Sequence, residues 1–359
     1  MSGRPRAVVD GLPQYKPGKS AAQAAADHQL DEAIKLASNE SSYGPLPSVL
    51  SAVTGEANLL NRYPDHRGQA VREALAAKHG VEGDRVTVGC GSVGLLQQAF
   101  MAYVDAGDEV VYPWRSFEVH PVFSAISEAK AVTVPLDGQS FDLDAVGAAV
   151  TGRTKLVILS TPNNPTGTVC STNALKHLLE SVNNDVLVII DEAYLEFVTD
   201  GSVANAVTEI LPHHDNAVVF RTFSKAYGLA NLRVGYAIGH HQVIGAIDKV
   251  ALPFLVNGLA QTAVLASLKP QAEKELKARV EEVISERSRV SAELEARGWP
   301  VTPSQANFVW LPVGEQAGPL FQRLESMGVV TRPFENEGLR VTMGTPAEND
   351  RFLDVIGSQ

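Results

Sequence analysis

The chain has 359 residues, of which 45% are apolar and 20% charged, enough for one large core and a second, smaller domain. A formal net charge of −11 opposes binding to nucleic acid, and no run of about 18 apolar residues indicates a membrane span. Two cysteines are too few for a disulfide framework or a metal cluster, and the N-terminus lacks the apolar segment of a secretory signal, so we expect a cytoplasmic protein without a metal site.

Residues 1–30 are rich in Pro, Gly, Ala and Gln and are expected to form an N-terminal arm. Beyond the arm, short apolar runs alternate with helix-length stretches such as 92–105, 117–129 and 172–182, which is typical of an α/β fold. The predicted strands are 85–89, 108–112, 131–135, 155–160, 185–190, 217–220 and 233–239. Because these strands are apolar on both faces, we expect a mainly parallel seven-stranded sheet covered by helices.

The C-terminal part begins with a long, charged amphipathic helix that is expected to run from about 268 to a stop at Gly298. After it come "NFVWLPV", a helix near 316–327, "GVVTRPF", "LRVTMG" and a last helix from about 346. This mixed order predicts a smaller α+β domain. The predicted division of the chain is an arm at 1–30, a large domain at 31–250 and a small domain at 251–359.

Two glycine-containing motifs resemble nucleotide-binding sequences but lack their context. "GCGSVG" at 89–94 follows a strand and opens a helix, as a dinucleotide fingerprint does. That fold also needs an acid at the end of the next strand, whereas Asp108 and Glu109 begin it. "PGKS" at 17–20 lacks the first glycine of a P-loop, since Pro13 stands there. We therefore expect neither nucleotide site, while the helix N-terminus in "GCGSVG" remains able to bind a phosphate.

Polar side chains follow several of the predicted strands, at the edge where open α/β sheets bind their ligands. The turns "GCGS", "STPNNPTG", "DEAY" and "RTFSKAYG" supply Ser92, Asn163, Asn164, Asp191, Tyr194, Ser224 and Lys225, and Arg233 follows shortly after. Individually, Asp191 could cap a helix, Tyr194 could fill the core and "NNPTG" could be only a turn. Together, these alternatives do not explain why a carboxylate, a lysine, an asparagine and an arginine all follow buried strands.

Pyridoxal 5′-phosphate is a cofactor that requires this set of groups. It needs a lysine for its aldehyde, an acid for its pyridine nitrogen, donors near its phenolic oxygen and a cradle for its phosphate. A partly desolvated Lys225 would be a nucleophile near neutral pH. The carboxylate of Asp191 would keep the ring nitrogen protonated, so that the ring withdraws electrons from the reacting carbon.

The chain resembles fold-type I pyridoxal-phosphate aminotransferases, and within them the histidinol-phosphate aminotransferase-like group. The resemblance extends from about residue 12 to the C-terminus and rests on "LASNESSYGP", "NRYPD", "STPNNPTG", "DEAY", "TFSKAYGLANLRVGY", "QANFVW" and "LRVTMGT". It implies a homodimeric aminotransferase with small-molecule amino acid and 2-oxo acid substrates.

The resemblance also implies a role for individual residues. The catalytic residues would be Lys225, Asp191 and Tyr194. Lys225 would bind the cofactor and act as general acid and base. Asp191 would pair with the pyridine nitrogen, while Asn164 and Tyr194 would hold the phenolic oxygen. The cofactor-binding residues would be Ser92, Val93, Phe117, Asn164, Asp191, Tyr194, Ser224, Lys225, Arg233 and, from the neighbouring subunit, Tyr63. Phe117 would stack on the ring, with Trp114 as the alternative. Arg340 would pair with the substrate carboxylate, and the other substrate neighbours would be Arg332, Asn39, Asn307 and Tyr15.

The substrate is not fixed by these motifs. Histidinol-phosphate enzymes usually have Ser-Asp-Glu after the phosphate-turn glycine and "NENPYG", where this chain has "GSVG" and "NESSYG". These departures resemble the aromatic (phenylalanine) aminotransferases of the same group, so we expect transfer between an aromatic L-amino acid and 2-oxoglutarate. Histidinol phosphate with glutamate is the alternative. A non-catalytic pyridoxal-phosphate-binding regulator is a rival hypothesis, but no basic helix-turn-helix segment supports it.

Overall fold

The computed structural model describes residues 3–12 and 19–359. The strands in these residues are β1 Ile34–Lys35, β2 Val86–Gly89, β3 Glu109–Trp114, β4 Lys130–Pro135, β5 Thr154–Ser160, β6 Leu187–Asp191, β7 Ala217–Thr222, β8 Gly235–Gly239, β9 Phe308–Leu311, β10 Val329–Val330, β11 Arg332–Phe334 and β12 Gly338–Thr342. The α-helices are α1 Ala7–Asp10, α2 Ala21–His28, α3 Pro47–Glu56, α4 Gln69–His79, α5 Gly91–Tyr103, α6 Val119–Ile126, α7 Leu143–Ala148, α8 Thr172–Ser181, α9 Ala206–Glu209, α10 His241–Lys249, α11 Gly258–Ser267, α12 Pro270–Ala296, α13 Ala317–Ser326 and α14 Pro346–Ile356.

The largest sheet has seven strands in the order β2-β8-β7-β6-β5-β3-β4. The neighbouring strands from β7 to β4 are parallel, and β8 runs antiparallel to both β7 and β2. This confirms the predicted α/β fold with a mainly parallel sheet. The observed strands also agree closely with the seven predicted strands.

Both faces of this sheet are buried. Successive side chains of a strand point to opposite faces, so a strand that is buried on both faces contributes to two hydrophobic clusters. In β5, Val157 and Leu159 pack in one hydrophobic cluster, whereas Leu156 and Ile158 pack in another on the opposite face. Helices cover both faces, so the continuous apolar runs of the sequence have a direct structural cause.

The smaller part of the fold contains the antiparallel sheet β11-β12-β9, the parallel pair β1-β10 and helices α13 and α14. The long helix α12 joins it to the large sheet and ends before Gly298, whose φ of +87° favours glycine. Helix α14 begins with a capping box between Thr345 and Glu348, with Pro346 in its first turn.

The hydrophobic clusters divide the chain at other positions than the predicted bounds near 30 and 250. Leu36 packs with Val341 and Phe352 in the small C-terminal core, because β1 pairs with β10. Ala263 and the rest of the buried face of α11 pack in the large core with Val49 of α3. The three-part division remains a prediction, and packing favours assigning β1 to the smaller part and α11 to the larger.

No helix within the described ranges is both long and apolar enough to cross a membrane.

Candidate active site

One edge of the large sheet collects the carboxyl ends of β2, β5, β6 and β7 and the beginning of β8. In the strand register, Ser160 lies opposite Asp191, and Thr222 lies opposite Gly235. Gly235 in turn lies opposite Gly89, which ends β2. The sheet therefore brings turns that are distant in sequence to one edge, as expected for parallel strands.

A cleft of about 340 Å³ opens at this edge, between the large sheet and the small antiparallel sheet. Its walls contain most of the residues that were predicted to form the site. Those lining residues are Asn39, Ser92, Val93, Phe117, Asn164, Asp191, Tyr194, Ser224, Lys225, Arg233, Arg332 and Arg340.

Lys225 is half-buried just beyond β7, and its Nζ donates to the carbonyl of Ser38 at 3.3 Å. Burial, together with the positive charges of Arg340 and Arg233, lowers the pKa of Lys225 to about 8. A substantial fraction of this amine is neutral near physiological pH. It can therefore act as a nucleophile and accept a proton.

Asp191 ends β6 with 9% of its surface exposed. Burial raises the pKa of Asp191 to about 7, although Oδ1 accepts a hydrogen bond from the backbone N–H of Ala193 at 3.2 Å. A buried carboxylate with a raised pKa is a strong acceptor for a protonated ring nitrogen. The structure thus places an acid in the cleft that can pair with such a group.

The turn from β2 into α5 forms an open anion cradle. Gly91 has φ +73°, and a Cβ at this position would lie 2.7 Å from Nη2 of Arg233, so glycine lets the guanidinium approach the helix N-terminus. The backbone N–H groups of Ser92 and Val93 belong to the first turn of α5, whose dipole favours an anion. Nη1 of Arg233 also lies 3.5 Å from Oγ of Ser224.

Tyr194 lies beside the lysine, with Nζ of Lys225 5.7 Å from the centre of its ring. The hydroxyl of Tyr194 accepts a hydrogen bond from Nδ2 of Asn39 at 2.9 Å. Asn39 adopts φ +53° and is fixed by Thr342, whose hydroxyl donates to Oδ1 of Asn39 at 3.0 Å. The small sheet therefore holds the phenol in place through Asn39.

Arg340 and Arg332 reach the cleft from the small sheet. Nη2 of Arg340 donates to the carbonyl of Ala37 at 2.7 Å, and Nη1 donates to Oδ1 of Asn164. Nη2 of Arg332 donates to Oε2 of Glu118 at 2.9 Å. The two guanidinium groups give this side of the cleft a positive character that suits an acidic substrate.

Of the two aromatic residues considered for stacking on the cofactor ring, Phe117 lines the cleft, and its ring meets that of His120 edge-on at 5.9 Å. Trp114 is instead covered by the guanidinium of Arg115, at 4.3 Å from the ring centre. The geometry favours Phe117 for the stacking position.

Two of the predicted residues in the described part of the chain do not line this cleft. Asn307 lies behind Asn39 and donates from Nδ2 to its carbonyl at 3.2 Å. Tyr63 is 83% exposed and stacks on Phe254 at 4.6 Å, apart from the cleft of its own chain. Tyr15 lies outside the described residues.

Glu118 and Thr222 are among the polar residues of the cleft that the sequence did not single out. Glu118 follows Phe117 directly and pairs with Arg332, and its position after a strand-end aromatic was the available signal. Thr222 is the last residue of β7, and its Oγ1 accepts from the backbone N–H of Ser224 at 3.1 Å. A threonine at a strand end normally attracts no functional interpretation.

The fold and the cleft together define a pyridoxal-phosphate enzyme of fold type I. The lysine of lowered pKa, the buried acid and the anion cradle fit the aldehyde, ring nitrogen and phosphate of this cofactor, and none of the three groups is explained by packing alone. The family profile "Aminotransferase class I and II" matches residues 31–356. The chain belongs to this family and is an aminotransferase, as its motifs predicted.

Individual relatives are similar over nearly the whole chain. An aromatic amino acid aminotransferase of Mycobacterium marinum is 48% identical, with 98% of this chain and 96% of that protein covered. Its counterpart in Mycobacterium tuberculosis is 46% identical, with 98% and 97% covered. The crystal structure of a histidinol-phosphate aminotransferase from Sinorhizobium meliloti, in complex with pyridoxal 5′-phosphate, superposes with a TM-score of 0.90 at 28% identity, covering 99% of this chain and 98% of that one.

Proposed function

We propose that this enzyme transfers an amino group between an aromatic L-amino acid, such as phenylalanine, and 2-oxoglutarate, using pyridoxal 5′-phosphate. The observation that carries the proposal is a single cleft in which Lys225, Asp191 and Arg340 all line the wall. These residues supply the amine, the acid and the carboxylate-binding guanidinium that such a transfer requires.

The aromatic substrate class has support from the relatives and from the composition of the cleft. The mycobacterial relatives at 46–48% identity are named aromatic amino acid aminotransferases. In this chain, the walls of the cleft include the ring of Phe117 and the apolar side chains of Val93 and Pro162, and Arg340 lines the same cleft. An apolar wall beside a carboxylate-binding arginine suits an aromatic amino acid.

The bound cofactor supplies an electron-withdrawing ring, while the protein supplies the remaining functions. Asp191 would hold the ring nitrogen, and Asn164 and Tyr194 would hold the phenolic oxygen. The first turn of α5, with Ser224 and Arg233, would hold the phosphate. Once the substrate is bound, the amine of Lys225 would remove the proton from the α-carbon of the substrate. The same amine would then return a proton to the carbon of the cofactor that carried the aldehyde.

Histidinol phosphate is the alternative substrate. The solved structure from Sinorhizobium meliloti is a histidinol-phosphate aminotransferase, and the paired arginines Arg332 and Arg340 would suit a phosphate as well as a carboxylate. The aromatic substrate is preferred here because the relatives with that name are the more similar in sequence.

Steady-state kinetics with both substrates on one preparation of holoenzyme distinguish between these two assignments. We expect phenylalanine with 2-oxoglutarate to be turned over with a kcat/KM at least tenfold above that for histidinol phosphate with the same acceptor. A preference for histidinol phosphate would reverse the assignment. Turnover of neither substrate would reject both.

The proposal includes a homodimer in which each chain completes the site of the other. Tyr63 and Phe254 form an exposed stacked pair close in sequence to the exposed apolar residues Leu59, Leu60 and Leu252. Exposed apolar residues in such number favour a protein contact. In the dimer, Tyr63 would reach the phosphate site of the partner subunit, and a monomeric enzyme with full activity would refute this part of the proposal.

A further inference from the structure

Two of the arginines that line the cleft face each other across the β11–β12 hairpin but have different partners. Arg332 on β11 lies directly opposite Arg340 on β12 in the antiparallel register. Arg340 donates to the neutral oxygens of Ala37 and Asn164. Arg332 donates to the carboxylate of Glu118. The guanidinium of Arg332 therefore reaches the cleft beside a negative charge that itself lines the cleft.

Glu118 is accessible from the cleft and belongs to a different part of the chain from Arg332. It lies at the start of α6, next to Phe117, and both it and Arg332 line the cleft. The side chain of Glu118 is 40% exposed, against 18% for Arg332. An ion pair at this exposure is weak enough for a ligand to replace the carboxylate.

A second ion pair joins the same two segments. Nε of Arg115 donates to Oε2 of Glu337 at 2.7 Å, and Nη2 of Arg115 donates to Oε1 of the same carboxylate. We call the pairs Arg115–Glu337 and Arg332–Glu118 the clasp. Its two pairs have opposite polarity, since the large part of the fold supplies the cation of one and the anion of the other. Release of Glu118 therefore leaves Arg115–Glu337 to hold the segments together.

We propose that Glu118 is a specificity-determining residue that serves as an exchangeable counter-ion of Arg332. With an aromatic substrate, Glu118 stays paired and keeps the guanidinium neutralised beside the ring. With a dicarboxylic substrate, the distal carboxylate replaces Glu118 on Arg332. This inference rests on the proposed function, because it explains how one cleft accepts both an aromatic acid and a dicarboxylic acid.

The physical basis is the cost of burying a charge without a partner. A guanidinium that faces an aromatic ring without a counter-ion loses hydration and gains only a weak contact with the ring. A carboxylate that moves away when a second acid arrives avoids like-charge repulsion at the same arginine. Glu118 meets both requirements, because it is bound to Arg332 and also reaches solvent.

The test measures the binding of two unreactive acids to the holoenzyme by calorimetry: glutarate, with two carboxylates, and 3-phenylpropionate, with one carboxylate and a ring. In Glu118→Gln, we expect the Kd of glutarate to fall about threefold to fivefold, because no counter-ion must be displaced. The Kd of 3-phenylpropionate is expected to rise about twofold to fivefold. Unchanged relative affinity for the two acids would overturn the proposal.

Glu337→Gln is the matched control, because it removes the carboxylate of the other pair in the clasp. A structural role of the clasp predicts that both variants shift the two affinities alike, which would also overturn the proposal. We expect Glu337→Gln to change the affinities for both acids in the same direction and by a similar factor.

Arg332→Gln gives an independent measurement if Glu118→Gln proves unstable. We expect this variant to weaken the binding of glutarate about threefold to tenfold and the binding of 3-phenylpropionate less than twofold. Equal weakening of both acids would contradict the inference. Because these measurements need no turnover, failure of the wild-type enzyme to use aromatic substrates would refute the proposed function without being confused with this result.

Discussion

The strand-end edge of the large sheet and the β11–β12 hairpin contribute to the cleft in different ways. The edge carries Asp191 and Lys225, whose pKa values burial shifts toward neutrality from opposite directions. The hairpin carries Arg332 and Arg340, which are held by acceptors from other segments of the chain. Burial thus shifts the pKa values of the groups that we propose to react, whereas contacts between distant segments fix the groups that we propose to recognise the substrate.

The largest effect is expected from Lys225→Ala, which removes the reacting amine from the sheet edge. We expect kcat to fall about a thousandfold or more, because both the covalent and the proton-transfer roles are lost. Steady-state kinetics of the holoenzyme measure this effect.

Lys277→Ala is the control for this variant, since Lys277 is an exposed lysine on α12 and its loss should leave kcat unchanged. Borohydride reduction of the wild-type holoenzyme should fix the cofactor to Lys225. A label on another lysine, or more than a tenth of wild-type activity in Lys225→Ala, would contradict the role assigned to this residue.

The second effect is on the free energy of unfolding, because the carboxyl of Asp191 is buried. Burial raises the pKa of Asp191 to about 7 in the folded protein, whereas an aspartate in an unfolded chain titrates near 3.9. Between about pH 4 and 7 the folded state binds the proton more tightly, so this carboxyl destabilises the cofactor-free protein increasingly as pH rises. Asp191→Asn should therefore be more stable than wild type by on the order of 3 kcal/mol at pH 8, with no difference near pH 4.

Urea unfolding of the cofactor-free proteins across this pH range measures the difference. Asp354→Asn, at an exposed position of α14, is the control and should show no such pH dependence. The same Asp191→Asn exchange should weaken cofactor binding, because the ring nitrogen loses its acid. A variant that is no more stable than wild type at pH 8 would show that the carboxyl carries no burial cost.

A smaller effect is expected at the hairpin. Arg340→Lys keeps the charge but loses the planar two-pronged donor, so kcat/KM should fall about tenfold to hundredfold for the aromatic and the dicarboxylic substrate alike. Arg323→Lys is the matched control, because Arg323 donates to the carbonyl of Ile356 at 2.8 Å and does not line the cleft. If kcat/KM fell for one substrate only, Arg340 would bind the side chain of that substrate and not the α-carboxylate that both substrates share.

The seven strands of the large sheet and the turns after them are predictable from local sequence alone. Apolar runs and strand-end residues are local features, and parallel strands necessarily bring their carboxyl ends to one edge. For this reason the sequence already predicts that Lys225, Asp191 and Arg233 lie at one site.

Contacts between segments that are distant in sequence are visible only in the tertiary structure. The pairing of Glu118 with Arg332, the position of Asn307 behind Asn39 and the packing of β1 in the C-terminal core depend on segments far apart in sequence. Such contacts arise from the packing of whole elements, and neither the periodicity nor the spacing of residues along the chain encodes them locally.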